Sequence, residues 1–233
     1  MFLWIRKLKL PMFEISNSKF NRRRFGQLLA GSLIASVGRA QNTSPGFFRL
    51  INATGIPGKI EFDLNKEKLS EEGYESGAST GSIGFLPGSY NLLARHSTWA
   101  DVEHAFELKS GDHSAMVLYS MPVLDEEGKE KKRVLKFAQV LCKPEAGART
   151  VVLTSACLAP QVQINLGGAQ VTLDSLKPRE VNLSQKAGQF LAIELDGAPI
   201  GSFQLEEAGA YGAVIFDQAD GKKGCVTYFE IAS

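Results

Sequence analysis

Short runs of alternating or β-branched residues follow one another after Gln41, and they restrict the chain to an all-β fold. The runs are separated by turn-forming residues, such as Pro87-Gly88 and Ser110-Gly111-Asp112. No segment beyond Gln41 combines the 3.6-residue periodicity of a helix with helix caps. The clearest runs are 48–51, 59–64, 90–94, 115–119 and 134–137. This pattern predicts an all-β fold of sandwich type.

Two stretches of the chain present the same features in the same order. The run 50–57 aligns with 153–160, and both runs end in proline. Self-similarity of this kind is the signature of a repeated structural unit, so we predict an internal repeat with loops of different length. The further matches pair 60–64 with 162–166, 87–90 with 187–190, 106–108 with 203–205, 115–118 with 213–216, and Gly128 and Phe137 with Gly221 and Phe229.

The repeat divides the chain beyond residue 40 into two parts. A copy of about 100 residues accommodates roughly seven short strands, the usual complement of an immunoglobulin-like sandwich. We therefore predict two tandem immunoglobulin-like β-sandwich domains, at 41–143 and 144–233, joined by the polar link 143–147. The alternative is that the two copies interleave into a single sandwich or barrel.

The segment 21–29 resembles a bacterial twin-arginine signal, which directs the export of folded proteins. Arg22 and Arg23 are followed by Phe25 and by a mildly apolar stretch that contains glycine. Small residues precede a cleavage point after Ala40, so we expect residues 1–40 to be a signal peptide that is removed. Met12 is an alternative start. We predict a periplasmic or extracellular protein with the twin-arginine export machinery as a partner and no stable membrane span after cleavage.

Several scaffold positions of the first copy resemble those of domain of unknown function 4397, a family of exported bacterial proteins. They are the segments 49–54, 60–64 and 86–90, and the turn at Gly111 that leads into an apolar strand. The second copy carries the pattern more faintly, with 154–156 in place of the Asn-Ala-Ser/Thr element. The resemblance implies an extracytoplasmic β-sandwich module and supplies no catalytic residues.

The chain contains three cysteines, which in an oxidising periplasm raises the question of disulfides. An odd number leaves at least one free thiol or an intermolecular bridge. Cys157 and Cys225 lie in the opening and closing strands of the second copy, which often run side by side, so a bridge between them is one prediction. A bridge from Cys142 to Cys157, or three buried thiols that never pair, are the alternatives.

All three histidines lie in the first copy, beside acidic residues, and are weak candidates for a metal site. In a strand, His104 shares a face with Phe106 and Leu108, whereas the nearby carboxylates lie on the opposite face. Alternation thus separates the potential ligands, which also include His96 and His113. We expect no metal and no cofactor.

Trp99 is the strongest candidate for a binding residue, because it falls between a strand that ends near Arg95 and one that begins near Val102. A tryptophan in such a loop stacks on a sugar ring or anchors a protein partner. The alternative is that Trp99 folds back onto the sandwich core. Tyr74 and Tyr211 are further candidates.

Charge gives no indication of a nucleic-acid partner, because the net charge is +1 and the only basic run beyond residue 40 is 129–133. That run follows the acidic segment 125–128, so we predict a solvated hairpin tip of mixed charge. The segment 77–81 has the Gly-x-Ser-x-Gly spacing of a nucleophile elbow, but it is small and polar and we interpret it as an inter-strand loop. No phosphate-binding loop or zinc-protease motif occurs.

These observations favour an exported, non-catalytic protein of the cell envelope that acts in structure or in binding an envelope protein or a carbohydrate. The alternative is a periplasmic enzyme or enzyme-accessory subunit with a cofactor or metal bound in the first domain. Clustering of the three histidines with carboxylates would favour that alternative, and an exposed Trp99 would favour binding.

Overall fold

The computed structural model describes residues 44–145, 147–185, 187–205 and 208–231, and these residues are all-β as the sequence predicts. Nine strands precede the link at 143–147 and eight follow it. The first nine are β1 (Gly46–Ala53), β2 (Lys59–Leu64), β3 (Glu67–Lys68), β4 (Tyr74–Glu75), β5 (Ile83–Phe85), β6 (Gly88–Arg95), β7 (Val102–Leu108), β8 (His113–Leu124) and β9 (Glu130–Cys142). The others are β10 (Arg149–Ala156), β11 (Gln161–Leu166), β12 (Ala169–Asp174), β13 (Arg179–Asn182), β14 (Phe190–Leu195), β15 (Ala198–Gln204), β16 (Gly209–Asp217) and β17 (Lys223–Ile231).

The strands form two inner and two outer sheets. The first inner sheet has the order β5-β1-β8-β9, and the first outer sheet has the order β3-β2-β6-β7, with β4 also paired to β2. The second inner sheet, β13-β10-β16-β17, and the second outer sheet, β12-β11-β14-β15, show the corresponding order. Each inner sheet is built around a parallel pair, β1 with β8 and β10 with β16. An immunoglobulin sandwich consists of two antiparallel sheets, so the finer assignment stays a prediction.

The central strands of the inner sheets are buried on both faces. In β10, Val151 and Leu153 belong to the core of the second half, whereas Val152 and Ala156 point the other way. Those two residues pack in a cluster that also contains first-half side chains such as Ile51. Because successive side chains in a strand alternate between faces, the inner sheets must pack against each other. The result is four layers of sheet, in the order outer, inner, inner, outer.

This packing gives the two halves a shared core. Ala115 and Val117 of β8 lie in the same buried cluster as Val214 and Phe216 of β16. The described residues, which begin at Ser44, belong to one compact unit. The division into two domains at 143/144 therefore stays a prediction. It would separate two halves whose inner sheets pack against each other.

Strand pairing shifts two of the aligned segments by one residue. Tyr90 pairs with Phe106, but Leu191, rather than the exposed Phe190, pairs with the aligned Phe203. The second shift is in β8. The position of Met116 relative to β1 corresponds to that of Ala213 relative to β10, whereas the sequence alignment matched Ala115 to Ala213. A slip of one residue moves every side chain to the other face. The corrected register matches the half-buried Tyr90 with the buried Leu191 and the buried Met116 with the buried Ala213, and the repeat itself stays a prediction.

Candidate functional site

Trp99 lies in the loop between β6 and β7, at the position that the sequence indicates. Its side chain is half-buried, and its ring is perpendicular to that of His96, with 6.5 Å between the ring centroids. The backbone N–H of Thr98 donates to Nδ1 of His96 over 3.3 Å, so the ring proton is on Nε2, which lies 3.0 Å from the carbonyl oxygen of Pro57. These contacts fix the imidazole against which the indole packs.

A groove of about 390 Å³ runs between this loop and the first part of β9, and we call it the Trp99 groove. Leu135 is buried and Val102 is half-buried, so they give the groove an apolar base. Its remaining lining is polar or small apart from Trp99 and Val134. The complete lining is Thr98, Trp99, Ala100, Asp101, Val102, Lys132, Arg133, Val134 and Leu135.

Arg133 is held in place at the groove by Glu130. The guanidinium donates to both carboxylate oxygens, from Nε over 2.9 Å and from Nη2 over 3.3 Å. The hydrogen bond from Arg133 lowers the pKa of Glu130, and the same bond raises the pKa of Arg133. A fork of this kind orients the guanidinium and largely neutralises its charge.

Two other polar groups of the groove have unused hydrogen-bonding capacity. The indole N–H of Trp99 and the carboxylate of Asp101 make no hydrogen bond or ion pair within the described ranges. Lys132 also lines the groove, but strand alternation directs its side chain to the face of β9 opposite that of Arg133. The groove thus offers one free donor and one free acceptor beside an aromatic ring. A concave site with an apolar base and a few polar groups is the usual form of a ligand pocket.

The two candidate tyrosines lie elsewhere and are less accessible. Tyr74 is half-buried in β4, with its ring edge-on to that of Phe62 at 5.6 Å, and burial raises its pKa. Tyr211 is only 2% exposed and packs between Phe203 and Phe229 in the second core. Its ring cannot contact a ligand in this structure, because period-2 alternation in β16 directs it inward.

The three histidines have three different surroundings. His96 supports the Trp99 loop, and His104 lies on β7 against Phe137, where burial lowers its pKa. His113 is buried at the start of β8 and stacks on Phe47. Within the ranges given above, no three or more side chains of histidine, cysteine, aspartate or glutamate are grouped so that they would hold a metal ion.

A buried charged cluster, formed by Arg49, His113 and Glu230, joins the two halves. Nε of Arg49 donates to Oε1 of Glu230 over 2.8 Å, and Nδ1 of His113 lies 3.3 Å from Oε2. The other guanidinium nitrogens donate to the carbonyl oxygens of Thr80 and Phe229, and the guanidinium lies 4.9 Å from the centroid of the Tyr228 ring. Each of the three side chains is at least nine-tenths buried.

The electrostatics of this cluster favour an ionised carboxylate. Burial alone would raise the pKa of Glu230, but the hydrogen bond from His113 and the charge of Arg49 outweigh it, so the pKa lies below its ordinary value. The sequence interpretation missed the cluster. The only indication in the sequence is that two largely apolar strands carry charges of opposite sign, Arg49 in β1 and Glu230 in β17.

Comparison of the chain with models of known protein families and with curated proteins finds no match. The resemblance to domain of unknown function 4397 therefore stays a prediction. The residues of the expected export signal, Arg22, Arg23, Phe25 and Ala40, lie outside the described residues. In the part of the chain that the structure covers, no helix is long and apolar enough to cross a membrane.

The three cysteines are free thiols in this structure. β10, which Cys157 follows, and β17, which carries Cys225, lie on opposite sides of β16. Strands on either side of a third are about 10 Å apart, beyond the roughly 7 Å that a disulfide spans between Cα atoms. The adjacency on which the predicted Cys157–Cys225 bridge depends is therefore not found. Cys142 lies instead in the shared core, with Sγ 3.4 Å from the hydroxyl of Tyr228.

We expect the thiols to be nearly inert in the folded protein. Burial raises the pKa of Cys142 to about 11 and that of Cys225 to about 12. Because the thiolate is the nucleophile, alkylation of Cys142 by iodoacetamide at pH 8 is expected to be at least about 100-fold slower than in the unfolded chain. Intact mass after alkylation in guanidinium, without a reductant, is expected to show three adducts. Only one adduct would contradict the free thiols and reveal a disulfide.

Proposed function

We propose that this chain is an exported, non-catalytic β-sandwich protein of the cell envelope that binds a ligand or partner through the Trp99 groove. The observation that carries the proposal is a half-buried tryptophan lining a groove of about 390 Å³ whose base is apolar. Groups at its rim have unused hydrogen-bonding capacity. Binding residues usually lie on loops that a rigid scaffold holds in position.

The scaffold supports this assignment because the loop is well fixed. It joins two paired strands, with Ala94 of β6 opposite Val102 of β7, and His96 holds it from beneath. A fixed aromatic side chain loses little conformational freedom on binding and so contributes more of its contact energy. Export through the expected twin-arginine signal would bring the protein to the envelope, where the extracytoplasmic module that the family resemblance implies would act.

Cosedimentation with cell envelopes isolated from the host organism tests the proposed function. We expect the protein to bind, and Trp99→Ala to bind at least about tenfold more weakly, since buried aromatic anchors dominate most binding sites. Phe190→Ala is the matched control, because Phe190 is 72% exposed and lies in the second outer sheet, away from the groove. Equal binding by Trp99→Ala and the parent would contradict the proposal. Thermal unfolding of both variants checks that the fold is intact.

A further inference from the structure

We propose that the Trp99 groove takes a neutral saccharide, with a sugar ring stacked on the indole of Trp99. The inference rests on the proposed function and names the chemical class of its ligand. It follows from three features of the groove: the aromatic surface, the mixture of free donors and acceptors, and the balance of charge.

The aromatic surface suits a sugar ring. The rings of Trp99 and His96 are perpendicular, so His96 covers at most one face of the indole. Trp99 lines the groove and is half-buried, which holds the ring in place and leaves part of it exposed. Tryptophan is the largest apolar side chain that also carries a hydrogen-bond donor, and it suits ligands with one apolar face and a polar edge. A pyranose ring has this character, because its C–H groups lie on its faces and its hydroxyls at its edge.

The free polar groups match hydroxyls better than they match a single charge. A hydroxyl both donates and accepts, so it satisfies the carboxylate of Asp101 as well as the indole N–H of Trp99. Both residues line the groove, and these two groups make no hydrogen bond or ion pair inside the described segments. An apolar ligand that covered them would leave them without partners and would lose affinity for that reason.

The charges that face the groove favour a neutral ligand over an anionic one. Arg133 is paired with Glu130, and the carboxylate of Asp101 makes no ion pair within the described residues. Strand alternation places Arg133 on the face of β9 that also carries Phe137, toward the outer sheet. Its remaining N–H groups are therefore available to a hydroxyl oxygen without an excess of positive charge. A volume of about 390 Å³ is at the lower end of ligand pockets, so one or two sugar rings would occupy it.

Tryptophan fluorescence tests the proposal directly. The chain has two tryptophans, Trp4 and Trp99, so the full-length Trp4→Phe variant has Trp99 as its single reporter. We expect its emission to shift to shorter wavelength, with saturation, on titration with at least one of cellohexaose, maltohexaose and chitohexaose. The affinity is expected to be insensitive to salt, because the interaction involves no net charge. An oligogalacturonate of similar length, which is anionic, is expected to bind more weakly.

Calorimetry on variants locates the site. Trp99→Ala is expected to weaken saccharide binding at least about tenfold, and Asp101→Asn is expected to weaken it less because the amide still accepts a hydrogen bond. Phe190→Ala is expected to bind like the parent. No emission change with any neutral saccharide up to about 10 mM, or a preference for the oligogalacturonate that salt abolishes, would overturn the inference.

Host envelopes distinguish failure of this inference from failure of the proposed function. If Trp99 emission responds to envelopes and the response survives protease treatment of the envelopes, a saccharide ligand is supported. If protease abolishes the response and no saccharide binds, the ligand is a protein: the proposed function stands and the saccharide inference is overturned. If neither envelopes nor saccharides change the emission, both fail.

Discussion

Replacing Glu230 by alanine is expected to lower the free energy of unfolding by about 3–5 kcal/mol, the largest effect of any single substitution considered for this chain. The carboxylate accepts a hydrogen bond from Arg49 over 2.8 Å, and both side chains are almost fully excluded from water. Without Glu230, the guanidinium remains buried with no opposite charge beside it. Urea-induced unfolding, followed by the emission of Trp99 and by circular dichroism, measures the loss.

Two controls separate the cost of an unpaired charge from that of lost packing. The double variant Arg49→Met with Glu230→Leu is expected to recover most of the stability, since apolar replacement of both members of a buried pair is often close to neutral. Glu61→Ala removes a partner of the exposed pairs with Lys68 and Arg95, so it is expected to cost less than about 1 kcal/mol. A cost below about 1 kcal/mol for Glu230→Ala itself would mean that the cluster is not a stabilising link between the halves.

The same carboxylate makes stability depend on acidity. Because the pKa of Glu230 is lower in the folded protein than in the unfolded chain, its contribution is complete above the unfolded value of about 4.3. That contribution is lost as the pH falls through the folded pKa. Glu230→Gln, which does not titrate, is therefore expected to show a smaller decrease in unfolding free energy between pH 6 and pH 3, as urea titrations at each pH would measure. Parallel decreases in the two proteins would exclude this assignment.

Replacing Gly212 by alanine is expected to destabilise the protein by about 1–3 kcal/mol or more through overpacking. Gly212 of β16 lies directly opposite Tyr228 of β17. A Cβ atom at position 212 would lie 1.9 Å from Cζ of the tyrosine and 2.3 Å from Cε2, which no rotamer adjustment of a buried ring relieves cheaply. Thermal and urea-induced unfolding give the magnitude.

Gly81 provides the matched control, because no atom lies within 4 Å of a Cβ built at that position. Gly81→Ala is expected to change stability by no more than about 0.5 kcal/mol. In a double-mutant cycle, Tyr228→Val is expected to cost less in the Gly212→Ala background than in the parent, since removing the ring makes room for the new methyl group. Additive effects would show that the two residues do not interact and would contradict the structural explanation.

The sequence predicts the strands well because the period-2 pattern is a local property. The run 115–119 lies near the centre of β8, and the acidic segment 125–128 marks the turn that joins it to β9. The pattern underestimates the length of the strands that are buried on both faces. The first eight residues of β8 are all buried, so alternation disappears where the second half of the chain covers the other face. That cover depends on contacts between residues far apart in sequence, which no local pattern encodes.

Only part of each site is predictable for the same reason. Trp99 is identifiable because turn residues and two strands flank it locally. The opposite wall of the groove comes from β9. The sequence alone predicts that Arg133 belongs to a solvated hairpin tip, so it does not indicate this wall. Tyr211 was a candidate on residue type alone, and the packing of the second outer sheet against β16, through Phe203 of β15, buries it. Arg49 and Glu230 lie 181 positions apart, so their pairing is visible only in the folded molecule.

The shared core has a consequence for when this chain completes its folding. β17 is the last strand of the described region, yet its Glu230 neutralises Arg49 in the first strand of the fold. During synthesis, the first half leaves the ribosome before β17, with one sheet face uncovered and a guanidinium without its counter-ion, and both stay unsatisfied until β17 has been made. The native state is thus completed only when the first and the last of these strands have come together, so the first half does not reach its final packing ahead of the second.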